Sequence, residues 1–249
     1  MCTATWMSGD GFRCLLFNRD ERRSRLPEIA PEIFSPTSAP KYLAPVDPES
    51  GGTWIAANEY GLSAAVLNDY ESSEKIPKPD GPDTTSRGTL PLAAVSHSTI
   101  KAASEAVQKH TSRNHFQPFK LILQDPKGDG QLLFWNGEEL AIQSLSQSML
   151  PLTTSSWRGS DVVAYRKSLY ERITGPIAKL HELLEFHGTF DPENPGFGPA
   201  MSREETSTRS LCVVRIGNGE VSLRHQLFES SCEMFAPSSE VRLRRRFPQ

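Results

Sequence analysis

Long apolar segments are absent from this chain of 249 residues. No run approaches the roughly 20 apolar residues that a membrane-spanning helix needs, so we expect no stable insertion into a membrane. The N-terminus also lacks the basic region and apolar core of a signal peptide. We therefore expect a cytoplasmic protein with reduced thiols, or a mitochondrial one if the source is eukaryotic.

An excess of positive charge is also missing. The 27 Lys and Arg residues against 30 Asp and Glu residues give a net charge of −3, which argues against bulk attraction to nucleic acid. Hydrophobic residues make up 37% and charged residues 23% of the chain, so a packed core is expected. The length fits one domain over residues 1–249, and a homo-oligomer is compatible with it.

Cysteine is scarce, with four residues in the chain: Cys2, Cys14, Cys212 and Cys232. No Cys-x-x-Cys pair or histidine spacing suggests a zinc site, and neither a metal nor another cofactor is expected. Cys14 and Cys212 lie in the apolar runs "FRCLLF" and "SLCVVRI", which predicts buried core positions. His181, at helical spacing, is expected on a helix surface.

Turn signals divide the chain into hairpins and helices. Hairpins are predicted around the turns "SGDG", "EYG" and "GNG", and further strands at "FKLILQD", "QLLFWN" and "ELAIQSL". Helices are predicted over 90–110, 161–173 and 177–186, the last two separated at Gly175 and Pro176. The proline-rich residues 27–50 predict an ordered surface excursion or a long loop. Loops are also predicted over 71–88 and over 188–207, and the tail "EVRLRRRF" is expected to be a solvated end. Hairpins with separate helical blocks predict an α+β fold, of which a four-layer αββα sandwich is one form.

The first residues combine into a chemical hypothesis. Met1 precedes a small residue, so its removal is expected, which would leave Cys2 with both a thiol and a free α-amine. An α-amine has a pKa near ~7.7–8.0, so its neutral form can act as the base for the thiol. Such a site also needs a carboxylate to hold the amine and donors for an oxyanion. The alternative interpretation of Cys2 is an ordinary small residue in a first strand.

The predicted first hairpin supplies the partners. If "CTATWM" pairs with "FRCLLF", then Asn18, Arg19 and Asp20 return beside Cys2. We expect the arginine to lower the pKa of the thiol. A surface charge cluster is the alternative interpretation of these residues.

Four segments together resemble a known family: "MCTATW", "FNRDE", "GGTWIAANEYGL" and "SRG". The family is named for its Asn-Arg-Asp-Glu motif and is also called the transport and Golgi organisation 2 family. The resemblance covers most of the chain and implies the αββα fold of the N-terminal-nucleophile hydrolases, with antiparallel sheets. A more distant similarity, carried by the Met-Cys start and by "NEYGLSAAVLN", is to the bile salt hydrolases and penicillin V acylases.

This distant similarity implies roles for individual residues. Cys2 would be the nucleophile, Arg19 would lie by its thiol, and Asp20 would orient the α-amine. The backbone amide of Asn68 would serve an oxyanion hole. The adjacency of Arg19 and Asp20 is a departure, because the acylases space these two residues further apart.

Two further positions differ from or only loosely match the acylase pattern. An asparagine of the acylases meets "LTTSSW" here, so that Thr154 or Ser155 would be the second oxyanion donor. A late arginine of the acylases corresponds to Arg209.

Two functions follow as hypotheses. One is an amidohydrolase acting on a small linear or acylated amide, with a small-molecule amide or acyl substrate as its partner. The other, which the family resemblance implies, is a non-catalytic cytosolic carrier of lipid, acyl-CoA or haem.

Of the remaining motifs, "GGT" at 51–53 predicts a tight turn rather than a phosphate loop. Trp54 would line a pocket or pack in the core, and Arg87 would lie at a cleft mouth or end a loop.

Overall fold

The computed structural model describes residues 2–9, 11–74, 84–229 and 235–247. Two antiparallel sheets lie face to face between two layers of helices, which confirms the predicted α+β αββα sandwich. The predicted removal of Met1 and the position of Cys232 lie outside the described residues. In the described part of the chain, no helix is both long and apolar enough to cross a membrane.

Strands and helices alternate in blocks along the chain. The strands are β1 (Cys2–Gly9), β2 (Phe12–Arg22), β3 (Ile29–Phe34), β4 (Tyr42–Val46), β5 (Ile55–Asn58), β6 (Ser63–Asn68), β7 (Phe119–Gln124), β8 (Gly130–Trp135), β9 (Leu140–Ser144), β10 (Leu152–Thr154), β11 (Thr206–Ile216), β12 (Glu220–Phe228) and β13 (Phe235–Arg244). The helices are α1 (Tyr70–Ser73), α2 (Thr89–Val95), α3 (Ile100–Thr111), α4 (Gly159–Ile173) and α5 (Leu180–Gly188). One sheet has the order β10-β1-β2-β11-β12-β13, and the other runs from β3 to β9 in sequence order.

Among the described residues, three of the apolar clusters hold the layers together. The largest lies between the sheets, where Trp6 and Phe17 of one sheet pack with Leu67 of the other. A second joins α2 and α3 to the seven-stranded sheet, and a third joins α5 to the six-stranded sheet through Leu183. Full burial of one such side chain contributes about 1.5–3 kcal/mol, so these clusters supply the main stabilisation.

The alternation of β1 decides which way the site residues face. Ala4 and Trp6 belong to the cluster between the sheets, and Cys2 packs against the same cluster. Successive side chains of a strand point to opposite faces, so Thr3 and Thr5 lie on the helix side. The first hairpin therefore supplies polar groups to both faces of its sheet.

Of the two interpretations of the proline-rich residues 27–50, the long loop is wrong, because these residues contain β3 and β4. β3 is an edge strand, a position in which proline is tolerated because one side of the backbone needs no ladder partner. The register between β3 and β4 shifts between Ile29 and Glu32, a stretch that includes Pro31. Proline content here marks an irregular strand rather than a loop.

Two other predictions need correction. The helix predicted over 90–110 is broken into α2 and α3, because Thr99 caps α3 by accepting a hydrogen bond from the backbone N–H of Ala102. The tail predicted as a solvated end contains β13, in which Val241 and Leu243 pack on the core between the sheets. The predicted hairpins and the burial of Cys14 and Cys212 are confirmed.

The "GGT" and "SRG" segments lie against each other. The backbone N–H of Thr53 donates to the carbonyl of Gly88 over 3.0 Å, and a Cβ placed on Gly52 would lie 2.7 Å from the Gly88 carbonyl carbon. The two backbones can approach this closely only because neither glycine carries a side chain. Residues 51–53 are thus a packing contact for the segment that carries Arg87.

Replacing Gly52 by Ala is expected to lower the free energy of unfolding by about 1–3 kcal/mol, because the new methyl group would overlap backbone atoms that cannot rotate away. The control is Gly159→Ala, at the start of α4, where a Cβ meets no atom within 4 Å. Urea unfolding of both variants measures the effect. Equal stability of Gly52→Ala and the wild type would contradict the close approach.

Candidate active site

A cleft of about 600 Å³ opens beside the start of β1. Cys2, Arg19 and Asp20 line it from the six-stranded sheet, and Asn68 lines it from the end of β6 in the other sheet. The structure therefore brings four of the residues singled out from the sequence to one place. Arg87, from the "SRG" segment, lies in the same lining.

Cys2 sits between two neighbouring strands. It is directly opposite Arg19 of β2 and opposite Thr154 of β10. Burial raises the pKa of the Cys2 thiol, the negative charges of Asp20 and Glu21 add to this, and the backbone N–H of Asp20 opposes it. The expectation that a neighbouring arginine would lower this pKa is wrong, and the resting side chain is a neutral thiol.

The carboxylates around Arg19 explain why this arginine does not lower the pKa of the Cys2 thiol. The buried guanidinium lies 2.8 Å from Glu28, 3.3 Å from Asp47 and 3.5 Å from Glu21, measured between nitrogen and carboxylate oxygen. It also lies over the ring of Trp54, 4.5 Å from the ring centroid. Three carboxylates balance the charge of Arg19, so little of its field is left to favour a thiolate.

Glu28 connects Arg19 to a buried histidine. Its second oxygen lies 2.7 Å from Nε2 of His225 in β12. Burial raises the pKa of Glu28, but the hydrogen bond from His225 and the charge of Arg19 outweigh burial and hold this pKa below its usual value. Sequence reasoning missed this pair because the two residues lie 197 positions apart and share no local spacing.

The carboxylate of Asp20 lies on the helix side of the same strand. Its Oδ1 accepts a hydrogen bond of 2.6 Å from the hydroxyl of Thr208, and its Oδ2 lies 3.5 Å from Nη2 of Arg166. The Oδ2 atom is buried and receives no hydrogen bond from the described residues. A buried carboxylate oxygen without a donor is unusual, because nearly all buried polar atoms have a partner.

Arg166, on α4, is fully buried. Its guanidinium donates to the hydroxyl of Thr3 over 2.6 Å and to that of Thr153 over 3.1 Å, and further bonds go to the carbonyls of Phe197 and Gly198. Burial lowers the pKa of Arg166, and the nearby charge of Asp20 opposes this. Nothing in the sequence "AYRKSLY" distinguishes this arginine from one on a helix surface.

The two candidate oxyanion donors next to Cys2 differ in their partners. The Ser155 hydroxyl donates to the carbonyl of Trp157, whereas the buried Thr154 hydroxyl has no hydrogen-bond partner among the described residues. On the other side, the Asn68 side chain donates to the hydroxyl of Tyr70 over 2.9 Å. Thr154 is therefore the hydroxyl that is available beside the thiol.

Arg209 and Trp54 take different places. Arg209 lies at a bulge of β11, between Thr208 and Ser210, and is not among the residues that line the cleft. The arginine that the structure brings to Asp20 is Arg166 instead. Trp54 both lines the cleft and packs in the core between the sheets.

No group of three or more His, Cys, Asp or Glu in the described ranges is arranged to hold a metal ion.

His187 supports the first hairpin from the helix layer. Its Nε2 lies 2.8 Å from the hydroxyl of Thr5, and its Nδ1 lies 3.0 Å from Oδ1 of Asn18. Burial, together with the charge of Arg166, lowers the pKa of His187 to about 3. The imidazole is therefore neutral in the folded protein at physiological pH.

This histidine predicts an acid-sensitive stability. An unfolded histidine has a pKa near about 6.5, so between that pH and about 3 the unfolded state binds the extra proton and the free energy of unfolding falls as pH falls. At about 1.36 kcal/mol per pH unit, the loss from about pH 6.5 to about pH 5 amounts to about 2 kcal/mol. Urea unfolding of the wild type and of His187→Gln over this range measures it.

In that comparison His187→Gln should lose most of this pH dependence, although it is less stable than the wild type at neutral pH. The control is His181→Gln in the same helix. The side chain of His181 is exposed, so its predicted position on a helix surface is confirmed. An unchanged pH dependence in His187→Gln would contradict the assignment.

Comparison with solved structures defines the class of fold. Penicillin V acylase from Agrobacterium tumefaciens matches 91% of this chain over 83% of its own, with 14% identity and a TM-score of 0.52. The C2A mutant of conjugated bile acid hydrolase from Clostridium perfringens matches 97% over 92%, with 14% identity and a TM-score of 0.56. The Caenorhabditis elegans ortholog of N-acylethanolamine-hydrolyzing acid amidase matches 86% over 92%, with 13% identity and a TM-score of 0.58. The fold is that of the N-terminal-nucleophile hydrolases.

The sequence itself identifies the family. Residues 1–206 match the sequence model of the family described as Transport and Golgi organisation 2, and the chain belongs to this family. No curated protein matches the chain. The resemblance stated from the motifs is confirmed.

Proposed function

We propose that this protein is an N-terminal-cysteine amidohydrolase that acts on a small linear or acylated amide after removal of Met1. The observation that carries the proposal is the buried Oδ2 of Asp20, which lacks a hydrogen-bond donor beside the first strand. The α-amine of a processed Cys2 would supply that donor and would be held next to the thiol. The hydrolases and acylase with the same fold support this class of reaction.

The neutral thiol of Cys2 is compatible with this chemistry. As its sulfur forms a bond to the substrate carbonyl carbon, the thiol proton passes to the neutral α-amine. The carbon–nitrogen bond then breaks, the departing amine takes that proton, and a thioester remains on the sulfur. Water attacks the thioester, the α-amine again accepts a proton, and the released thiol recovers it as the carboxylic acid leaves.

Oxyanion stabilisation would come from both sheets, from β10 and from the end of β6. The free hydroxyl of Thr154 and the backbone amide of Asn68 are the proposed donors. Removing a single oxyanion donor typically lowers kcat about 10²–10³-fold. Arg19 is proposed to shape the cleft rather than to activate the thiol, because three carboxylates balance its charge.

Turnover of a panel of N-acyl amides by natively expressed protein tests the proposal, with release of the free amine as the readout. The expected result is hydrolysis of at least one member of the panel, with saturation. Thioesters belong in the panel because the same acyl-enzyme would form from them. Absence of turnover across the panel would contradict the hydrolase.

Native mass spectrometry of the same preparation distinguishes the carrier hypothesis from the amidohydrolase proposal. A carrier would retain a lipid, acyl-CoA or haem and would turn nothing over. The described lining offers little surface for the long acyl chain of a lipid, with Trp54, Val66 and Tyr70 as its larger apolar or aromatic members among many charged groups. We therefore expect no co-purifying lipid.

A further inference from the structure

Four arginines line the described part of the cleft, and one of them differs from the others. Arg19 and Arg25 are both in ion pairs with carboxylates, and Arg22 is exposed to solvent. Arg87 is partly buried, and within the described residues no carboxylate lies at ion-pair distance from it. Its Nη1 donates a hydrogen bond to the carbonyl of Pro118 over 3.0 Å.

Arg87 lies close enough to the thiol for their charges to interact. Burial lowers the pKa of Arg87, and the charged forms of Tyr70, Cys2 and Glu21 would oppose this. A guanidinium carries five N–H donors in a planar fork, which matches a carboxylate with two parallel hydrogen bonds. One donor group of Arg87 is used by a carbonyl, so most of this capacity is open to a ligand.

The backbone holds this arginine in a fixed place. Gly88 packs directly on Gly52, and its carbonyl accepts from Thr53. On the other side, the backbone N–H of Thr85 donates to the carbonyl of His115 over 2.8 Å. A charged group on such a support loses little conformational entropy when it binds a ligand.

We propose that Arg87 binds a carboxylate of the substrate, so that the cleft selects acyl amides that carry a carboxylate near the scissile bond. N-acyl amino acids are the simplest compounds of this kind. The inference deepens the proposed function and rests on it for the reaction, although not for the binding. Arg87 is thereby a specificity-determining residue rather than part of the bond-breaking chemistry.

The rest of the lining limits how much negative charge fits. The lining carries four arginines and also four carboxylates, those of Asp20, Glu21, Asp47 and Glu49. A polyanion such as a diphosphate would meet these carboxylates, whereas a single carboxylate can pair with Arg87 alone. The cleft therefore fits one negative charge.

Calorimetric binding to the Cys2→Ser variant tests the inference without turnover. The probes are N-hexanoylglycine and N-hexanoylglycinamide, which are nearly equal in shape and differ in charge. We expect the acid to bind about tenfold to hundredfold more tightly than the amide, the effect typical of a hydrogen bond to a charged group. Equal affinities, or no binding of either probe, would overturn the proposal.

Variants of Arg87 show whether this side chain causes the preference for the acid over the amide. In the Cys2→Ser background, Arg87→Gln should remove the preference for the acid, and Arg87→Lys should keep part of it because the charge remains without the fork. The matched control is Lys101→Gln, an equal change of charge on the exposed face of α3, which should keep the full preference. A preference that survives Arg87→Gln in folded protein would overturn the assignment.

Turnover by the chain with its cysteine separates the two proposals. If the acid binds selectively but no amide is hydrolysed, the carboxylate site stands and the amidohydrolase fails. If neutral and acidic amides are hydrolysed with equal kcat/KM, the amidohydrolase stands and the carboxylate site fails.

Discussion

Replacing Cys2 by Ser is expected to lower kcat for amide hydrolysis by on the order of 10⁴-fold or more, the scale seen when a nucleophile is removed. The serine hydroxyl holds its proton far more tightly than a thiol, so the α-amine is too weak a base to activate it. Substrate binding should change little, because the nucleophile makes few contacts in the ground state. Steady-state kinetics on the best amide of the panel give both quantities.

The matched control for this experiment is Cys14→Ala. Cys14 is buried on the helix side of β2, in the cluster around Leu183. Burial raises its pKa to about 11, so that its thiol is neutral and inert. The control should keep kcat within a few-fold of the wild type. Wild-type kcat in Cys2→Ser would show that another group carries out the reaction.

Replacing Arg166 by Met is expected to lower the free energy of unfolding by about 3–5 kcal/mol. This is the usual range when one partner of a buried ion pair is removed. The variant leaves the buried carboxylate of Asp20 without its counter-charge, 3.5 Å from where the guanidinium lay. It also removes the donors to the hydroxyls of Thr3 and Thr153. Urea unfolding at neutral pH measures the loss.

Two further variants show how much of this loss belongs to the ion pair. Lys167→Met, one position along α4 and exposed, should change the free energy of unfolding by no more than about 0.5 kcal/mol. In the Asp20→Asn background, Arg166→Met should cost less than in the wild type, because no buried negative charge remains. Equal costs in both backgrounds would show that Arg166 acts through its other hydrogen bonds and not through Asp20.

The part of the site that the sequence predicts depends on one hairpin. The turn "SGDG" and the alternation on either side of it set the register in which Arg19 lies opposite Cys2. Hairpin register follows from turn length and apolar pattern, both of which are local properties of the sequence. The same local reasoning correctly separates α4 from α5 at Gly175 and Pro176.

What the sequence could not predict depends on distant segments. The three carboxylates around Arg19 come from β2 and from two separate loops, so their effect on the thiol is visible only after folding. The pair of Glu28 and His225 joins opposite ends of the chain. Similarly, a helix pattern shows which face is apolar, and it does not reveal that Arg166 reaches a buried carboxylate.

The most direct test of the central claim is peptide mapping by mass spectrometry of natively expressed protein, quenched with acid during turnover of an N-acyl amide or thioester. If a processed Cys2 is the nucleophile, the N-terminal peptide begins at Cys2, without Met1, and a fraction of it carries the acyl group on the Cys2 sulfur. Retention of Met1 in active protein, or an acyl group attached to a different residue, would contradict this claim.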